Sequence, residues 1–197
     1  MTEASARAAA ELQWLRTLRD LVDRLGHELR NPLNGALLGL TVVRQLAGQS
    51  GASAASVMAF AESASAETER VAALIDALLR LARREPAGVD LWAESERLAF
   101  VYGALAARDG GSVVLERSGD ESLETSAPAD VVRAAVACVM DASGAAVRCV
   151  VQRVDGRPAL AASGAALHVE APPQEVWRAH GVVMTVSPDG VRIECPA

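Results

Sequence analysis

The sequence predicts an α+β protein: an N-terminal antiparallel helical hairpin, forming a four-helix bundle as a dimer, followed by a small α/β sandwich. Three observations carry this. Apolar residues step by three and four along two long runs before residue 84. A Pro- and Gly-containing break, "REPAG", closes the second run. Beyond it, short β-branched segments alternate with shorter helical ones.

The first run extends from about Ala8 to Ala47. Leu15, Leu18, Val22, Leu25 and Leu29 share one seam, and Ala36, Leu40, Val43 and Ala47 continue it past Pro32. "AGQSGASAAS" (Ala47 to Ser56) interrupts the pattern as a helix-to-helix turn. Val71, Leu74, Ile75, Leu78, Leu81 and Ala82 then mark the second helix, up to Arg84. Two helices with narrow seams bury little alone, so residues 1–86 are expected to dimerise through Leu18, Leu25 and Leu29.

Residues 87–197 have a different texture. Asp90 to Gly110 reads as a helix, "SVVLER" (Ser112 to Arg117) as a strand, and the residues through Glu124 as a polar loop. Pro128 to Ser143 is a helix with Pro and Asp in its first turn. "AVRCVVQRV", "ALHVE", "GVVMTVS" and "GVRIECP" are strand candidates, mainly hairpin-connected, with "PPQEVWRAH" a short helix among them.

Composition excludes several functions. Of 197 residues, 51% are hydrophobic and only 3% aromatic, which suits Ala- and Leu-rich helices. All basic residues are Arg, and the net charge of −6 does not provide the clustered basic face that nucleic acid needs. Cys138, Cys149 and Cys195 are widely spaced and odd in number, which indicates neither a zinc site nor a disulfide framework. The sequence lacks a leader-like start, and no window approaches the about 18 apolar residues of a membrane span, so a cytoplasmic protein is expected.

The chemistry lies in "DRLGHELRNPLNG". With Leu25 and Leu29 facing the core, His27 lies about 200° around the helix from Leu25 and points to water. Glu28 is adjacent, Asn31 stands one turn on, and Pro32 removes a helical hydrogen bond and is expected to bend the helix. An exposed neutral imidazole beside a carboxylate can attack a phosphoryl group, and Asn31 can position water for the reverse hydrolysis.

"HELRNPL" (His27 to Leu33) resembles the phosphoacceptor box of sensor histidine kinases, H-E-hydrophobic-R-N/T-P-L, at all seven positions. "ETERVAALIDALLRLAR" is similar to that family's second hairpin helix. The resemblance implies a dimerising phosphotransfer domain followed by an ATP-binding sandwich, but in a degenerate form. The family's two asparagine positions fall on Cys138 and Ala142, and a cysteine is not a hard oxygen ligand for magnesium. Asp141, one residue off that register, reads as an exposed helix acid. Where the family has D-x-G-x-G stand Ala161, Ala162, Ser163 and Gly164, "VDGRP" reads as a hairpin turn, and the lid before "PPQEVW" is missing. His168 and His180 are read as structural.

The chain thus resembles a histidine phosphotransferase derived from a kinase-like homodimer. Its expected reaction moves phosphoryl groups between response-regulator receiver domains through His27, with no cofactor of its own and Mg2+ supplied only by the receiver. Two alternatives stay open: a non-catalytic pseudokinase module that binds a regulator or kinase, and an autokinase with an unorthodox nucleotide pocket.

Overall fold

The computed structural model describes residues 3–49, 53–83, 85, 88–108, 110–142, 146–164 and 174–197. Helix α1 (Glu3–Ala47) is about 68 Å long at 1.5 Å per residue and runs through Pro32. Its buried residues Ala6, Ala10, Trp14, Leu21, Leu25 and Ala36 recur at helical spacing. α2 (Ala54–Ala82) returns antiparallel, with Ala64, Val71, Leu74, Ala77 and Leu81 buried. A Cβ on Gly39 would press on Ala64 and on the Phe60 carbonyl at 3.2–3.3 Å, so the glycine lets the two helices approach closely.

β1 (Val89–Asp90) leads directly into α3 (Leu91–Arg108). Asp90 caps that helix: its Oδ1 accepts from the backbone N–H groups of Trp92 at 2.7 Å and Ala93 at 3.2 Å. β2 (Ser112–Arg117), β3 (Glu124–Thr125) and α4 (Ala129–Ala142) follow, then β4 (Ala146–Val154), β5 (Arg157–Gly164), α5 (Gln174–Arg178), β6 (Val183–Ser187) and β7 (Gly190–Glu194). β1 pairs with β3, and the main sheet has the order β2-β4-β5-β7-β6.

The α+β class expected from the sequence is what the chain adopts, with two differences in the sheet. First, β2 and β4 are parallel, Val113 opposite Val147 and Leu115 opposite Cys149, because α4 serves as the crossover between them. Second, β5 is not among the strand candidates that the sequence offers. It is held by antiparallel pairing on both sides, to β4 and β7, which compensates for its weak intrinsic preference. The β4–β5 turn is Asp155-Gly156, both at positive φ (49° and 77°), as a tight hairpin requires. The strand candidate "ALHVE", including His168, lies outside the described residues.

One face of the sheet is packed through Val147, Cys149, Val151, Leu160, Ala162, Val191 and Ile193. α4 lies between this face and α1 and is buried almost all round, from Val131 to Ala137 and again at Val139, Met140 and Ala142. A single core therefore runs from the sheet through α4 to Leu21, Leu25, Leu74 and Leu81 of the hairpin. This corrects the expected dimer seam. Leu25 is fully buried and Leu18 and Leu29 are partly buried against the chain's own core, because α3 and α4 pack there.

Candidate functional site

Helical geometry sets the surroundings of His27. Arg24, Glu28, Asn31 and Gly35 follow at spacings of four, three and four, so they form one stripe along α1. His27 is exposed at the edge of this stripe, flanked by Arg24 at i−3 and Asn31 at i+4.

The stripe faces α3 and α4. Arg24 donates from a terminal guanidinium nitrogen to Asp141 Oδ1 at 2.7 Å, and its guanidinium carbon lies 5.6 Å from the centroid of the Tyr102 ring. The Tyr102 hydroxyl donates to the other carboxylate oxygen of Asp141, also at 2.7 Å. Burial first, then the negative charge and hydrogen bond of Asp141, push the Tyr102 phenol well above its ordinary range. Asp141 is thus half-exposed, as expected of a helix acid, but its carboxylate is engaged on both oxygens.

One turn further along the stripe, Glu28 Oε1 lies 3.9 Å from a guanidinium nitrogen of Arg108 in the last turn of α3. The Glu28 side chain is 12% exposed, and its Oε1 is buried without a hydrogen-bond partner. Glu28, Asn31, Pro32 and Gly35 line a cleft of about 370 Å³ with Glu67, Arg70 and Leu74 of α2 and Ala104, Ala107 and Arg108 of α3.

The structure therefore gathers Glu28, Asn31 and Pro32 in one cleft, while His27 is exposed and is not part of the cleft lining. It does not join Glu28 to His27 by a hydrogen bond: the two lie about 100° apart around the helix, and Glu28 points to Arg108. Arg24, Tyr102 and Arg108 are the neighbours that the sequence reading left out. Arg24 could have been found from its i−3 spacing to His27. Nothing in the sequence marks Arg108, which reaches Glu28 only through the packing of α3 on α1.

At the positions where the resemblance puts asparagines, Cys138 is half-buried and Ala142 is buried. Burial and the charge of Asp141 push the Cys138 thiol up to about 11, so it stays neutral at ordinary pH. Cys149 and Cys195 are buried and free. His180, at the end of α5, is half-buried, and its Nε2 is buried without a hydrogen-bond partner. No helix among the described residues is long and apolar enough to cross a membrane.

Residues 17–87 match the family of the His Kinase A (phospho-acceptor) domain. No curated protein matches the chain. Among solved structures, the chain is similar to a bacterial phosphotransferase at 12% identity, with a TM-score of 0.43 and coverage of 98% of this chain and 97% of that one. It is also similar to the Acinetobacter baumannii histidine kinase AdeS (16% identity, TM-score 0.39, 86% and 97% covered). A histidine kinase from Burkholderia phymatum matches at 19% identity, with a TM-score of 0.38 and 99% and 97% covered. The family match covers His27 and the whole "HELRNPL" box, and it supports a histidine-phosphotransfer role in two-component signalling. Over residues 17–87 the chain is thus similar to a His Kinase A (phospho-acceptor) domain, and the α/β region that follows shares a core with that segment.

Proposed function

We propose that this chain is a cytoplasmic histidine phosphotransferase, a homodimer that passes phosphoryl groups between response-regulator receiver domains through His27 without binding ATP. The observation that carries this reading is the exposed imidazole of His27 inside a matched phospho-acceptor domain. A ring nitrogen of neutral His27 attacks the phosphorus of a receiver's aspartyl phosphate. The N–P bond forms, the P–O bond to the carboxyl group breaks, and the aspartate leaves as carboxylate. The reverse step loads a second receiver. Asn31, one turn from His27 and on the cleft wall, is suited to position water for hydrolysis of a phosphorylated receiver.

The residues that stand where a kinase would hold magnesium and nucleotide support the ATP-independent reading. Cys138 presents a neutral thiol, Ala142 presents no donor, and Asp141 is committed to Arg24 and Tyr102. The metal for the transfer then belongs to the receiver.

The test is incubation with a phosphorylated receiver. The expected label is acid-labile and base-stable, as a phosphoramidate is. It is absent in His27→Ala, which stays folded because a solvent-facing side chain contributes little to stability. Asn31→Ala takes up label but slows loss of phosphate from the receiver. If His27→Ala is labelled at the parental rate, the chain is instead a binding module without phosphotransfer.

A further inference from the structure

The cleft between α1, α2 and α3 contains an acceptor that the chain itself does not satisfy. The Glu28 side chain is largely buried, and its Oε1 has no hydrogen-bond partner. Arg108 stands 3.9 Å from that oxygen, near enough to balance its charge and too far for a charge-assisted hydrogen bond. What the carboxylate lacks is therefore a donor, not a cation. A buried acceptor left unpaired is costly, and a binding group that brings an N–H or O–H removes the cost.

Around this oxygen the walls are apolar. Pro32 of α1, Leu74 of α2, and Ala104 and Ala107 of α3 line the cleft, which follows α1 from Glu28 to Gly35, about 10 Å at 1.5 Å per residue. It admits an apolar stem that ends in a donor. Position decides which molecule brings that stem. Asn31 lines the cleft and lies one turn and about 40° around α1 from His27, and Glu28 is the residue next to His27. A receiver whose aspartyl phosphate comes within bonding distance of the imidazole must lie over this part of α1, so its surface meets the mouth of the cleft. The facing wall is α3, which lies outside the matched segment 17–87.

We propose that this cleft is the recognition pocket for the receiver that exchanges phosphoryl groups with His27, and that it takes one receiver side chain with an apolar stem and a neutral donor, an amide or a hydroxyl, which donates to Glu28 Oε1. This rests on the phosphotransfer reading above and deepens it. Glu28 then selects the partner and takes no part in the chemistry of the imidazole, from which it is turned away. A receiver with an apolar side chain at this point leaves Glu28 unpaired, and one with an acidic side chain opposes it, so both are rejected. Through Ala104 and Ala107 the α/β region shapes the pocket.

The test follows the initial rate of His27 labelling in the full-length chain against the concentration of a phosphorylated receiver, which gives a half-saturating concentration and a maximal rate. Glu28→Met removes the acceptor and should raise the half-saturating concentration roughly tenfold, the effect of one hydrogen bond to a charged group, while moving the maximal rate far less. Glu28→Gln keeps an acceptor and should recover most of that loss. Ala107→Leu narrows the cleft from an exposed position of α3 and should also weaken half-saturation. If Glu28→Met fails to fold, Ala107→Leu decides. Glu28→Gln as impaired as Glu28→Met means that charge is read, and overturns the neutral donor. Parental half-saturation in Glu28→Met and Ala107→Leu means that solvent or a small solute fills the cleft, and a change of mass in light scattering with Ala107→Leu means that a second copy covers it. Either result overturns the pocket while leaving His27 as the carrier. A parent labelled neither by a phosphorylated receiver nor by potassium phosphoramidate overturns both readings.

Discussion

Arg133, fully buried in the middle of α4, donates through its Nε to Glu94 Oε2 of α3 at 2.8 Å. A terminal nitrogen of the same guanidinium donates to the Arg83 carbonyl at 2.7 Å and the Leu81 carbonyl at 3.2 Å. One guanidinium thus satisfies a buried carboxylate and the last orphan carbonyls of α2, and Glu85 adds a second carboxylate at 3.2 Å. Burial lowers the Arg133 pKa, but the hydrogen bond and charge of Glu94 reverse this and leave it above its ordinary value.

Arg133→Met removes the donor while keeping much of the volume, and it leaves Glu94 with Arg97 alone beside it. A buried charge stripped of its main partner costs about 3–5 kcal/mol, so the variant should lose most of its resistance to urea. Adding Glu94→Gln to Arg133→Met should recover part of that loss, because the uncompensated charge is gone. Equal midpoints for parent and Arg133→Met would refute the clamp.

A second apolar stripe on α1 lies beside the covered one. Leu15, Val22, Leu33 and Leu40 are all exposed, and they are spaced by seven, eleven and seven residues, so they share one line along the helix. On α2, Ile75 and Leu79 are exposed as well. These residues, rather than Leu18, Leu25 and Leu29, should form the dimer face. The double variant Val22→Glu, Leu33→Glu should elute and scatter light as a folded monomer at concentrations where the parent is a dimer. A parent that is already monomeric at micromolar concentration would refute the homodimer itself.

The three thiols make stability fall at alkaline pH. Burial raises Cys149 to about 11 and Cys195 to about 12, and burial with the charge of Asp141 raises Cys138 to about 11, all from an ordinary 9.0. The native state therefore favours the neutral thiols. Their contribution is complete below pH 9 and is lost as the pH rises through 11 to 12, in the same direction as the raised phenol of Tyr102. The melting temperature should accordingly hold steady up to about pH 9 and fall beyond it. Iodoacetamide at pH 8 should modify Cys195 far more slowly in the folded chain than in urea, and equal rates would contradict its burial.

Helical periodicity made the hairpin legible, and the strands β2 and β4 were readable because Val-rich segments meet clear turn signals. β5 was not, since "RPALAASG" contains no β-branched residue and is a strand only because β4 and β7 flank it. β1 and β3 are two residues each, too short for any alternation to register. Periodicity also told that Leu25 faces something apolar, but not whether that is a second copy or α4. For the candidate site, the box from His27 to Leu33 could be read because its residues are contiguous. Arg108 of the opposite wall, and Asp141 beside Arg24, lie 75 and more positions away and are brought near by the packing of α3 and α4, for which no local pattern exists.

The core that passes from the sheet through α4 to Leu25, with Leu29 packed against it, flanks His27 on both sides along α1. Heat or denaturant therefore cannot melt the sandwich and leave the hairpin intact, since Leu21, Leu25, Leu74 and Leu81 would lose their cover at the same moment. The presentation of the imidazole and the integrity of the sheet are consequently a single cooperative property, and injury to either should travel to the other.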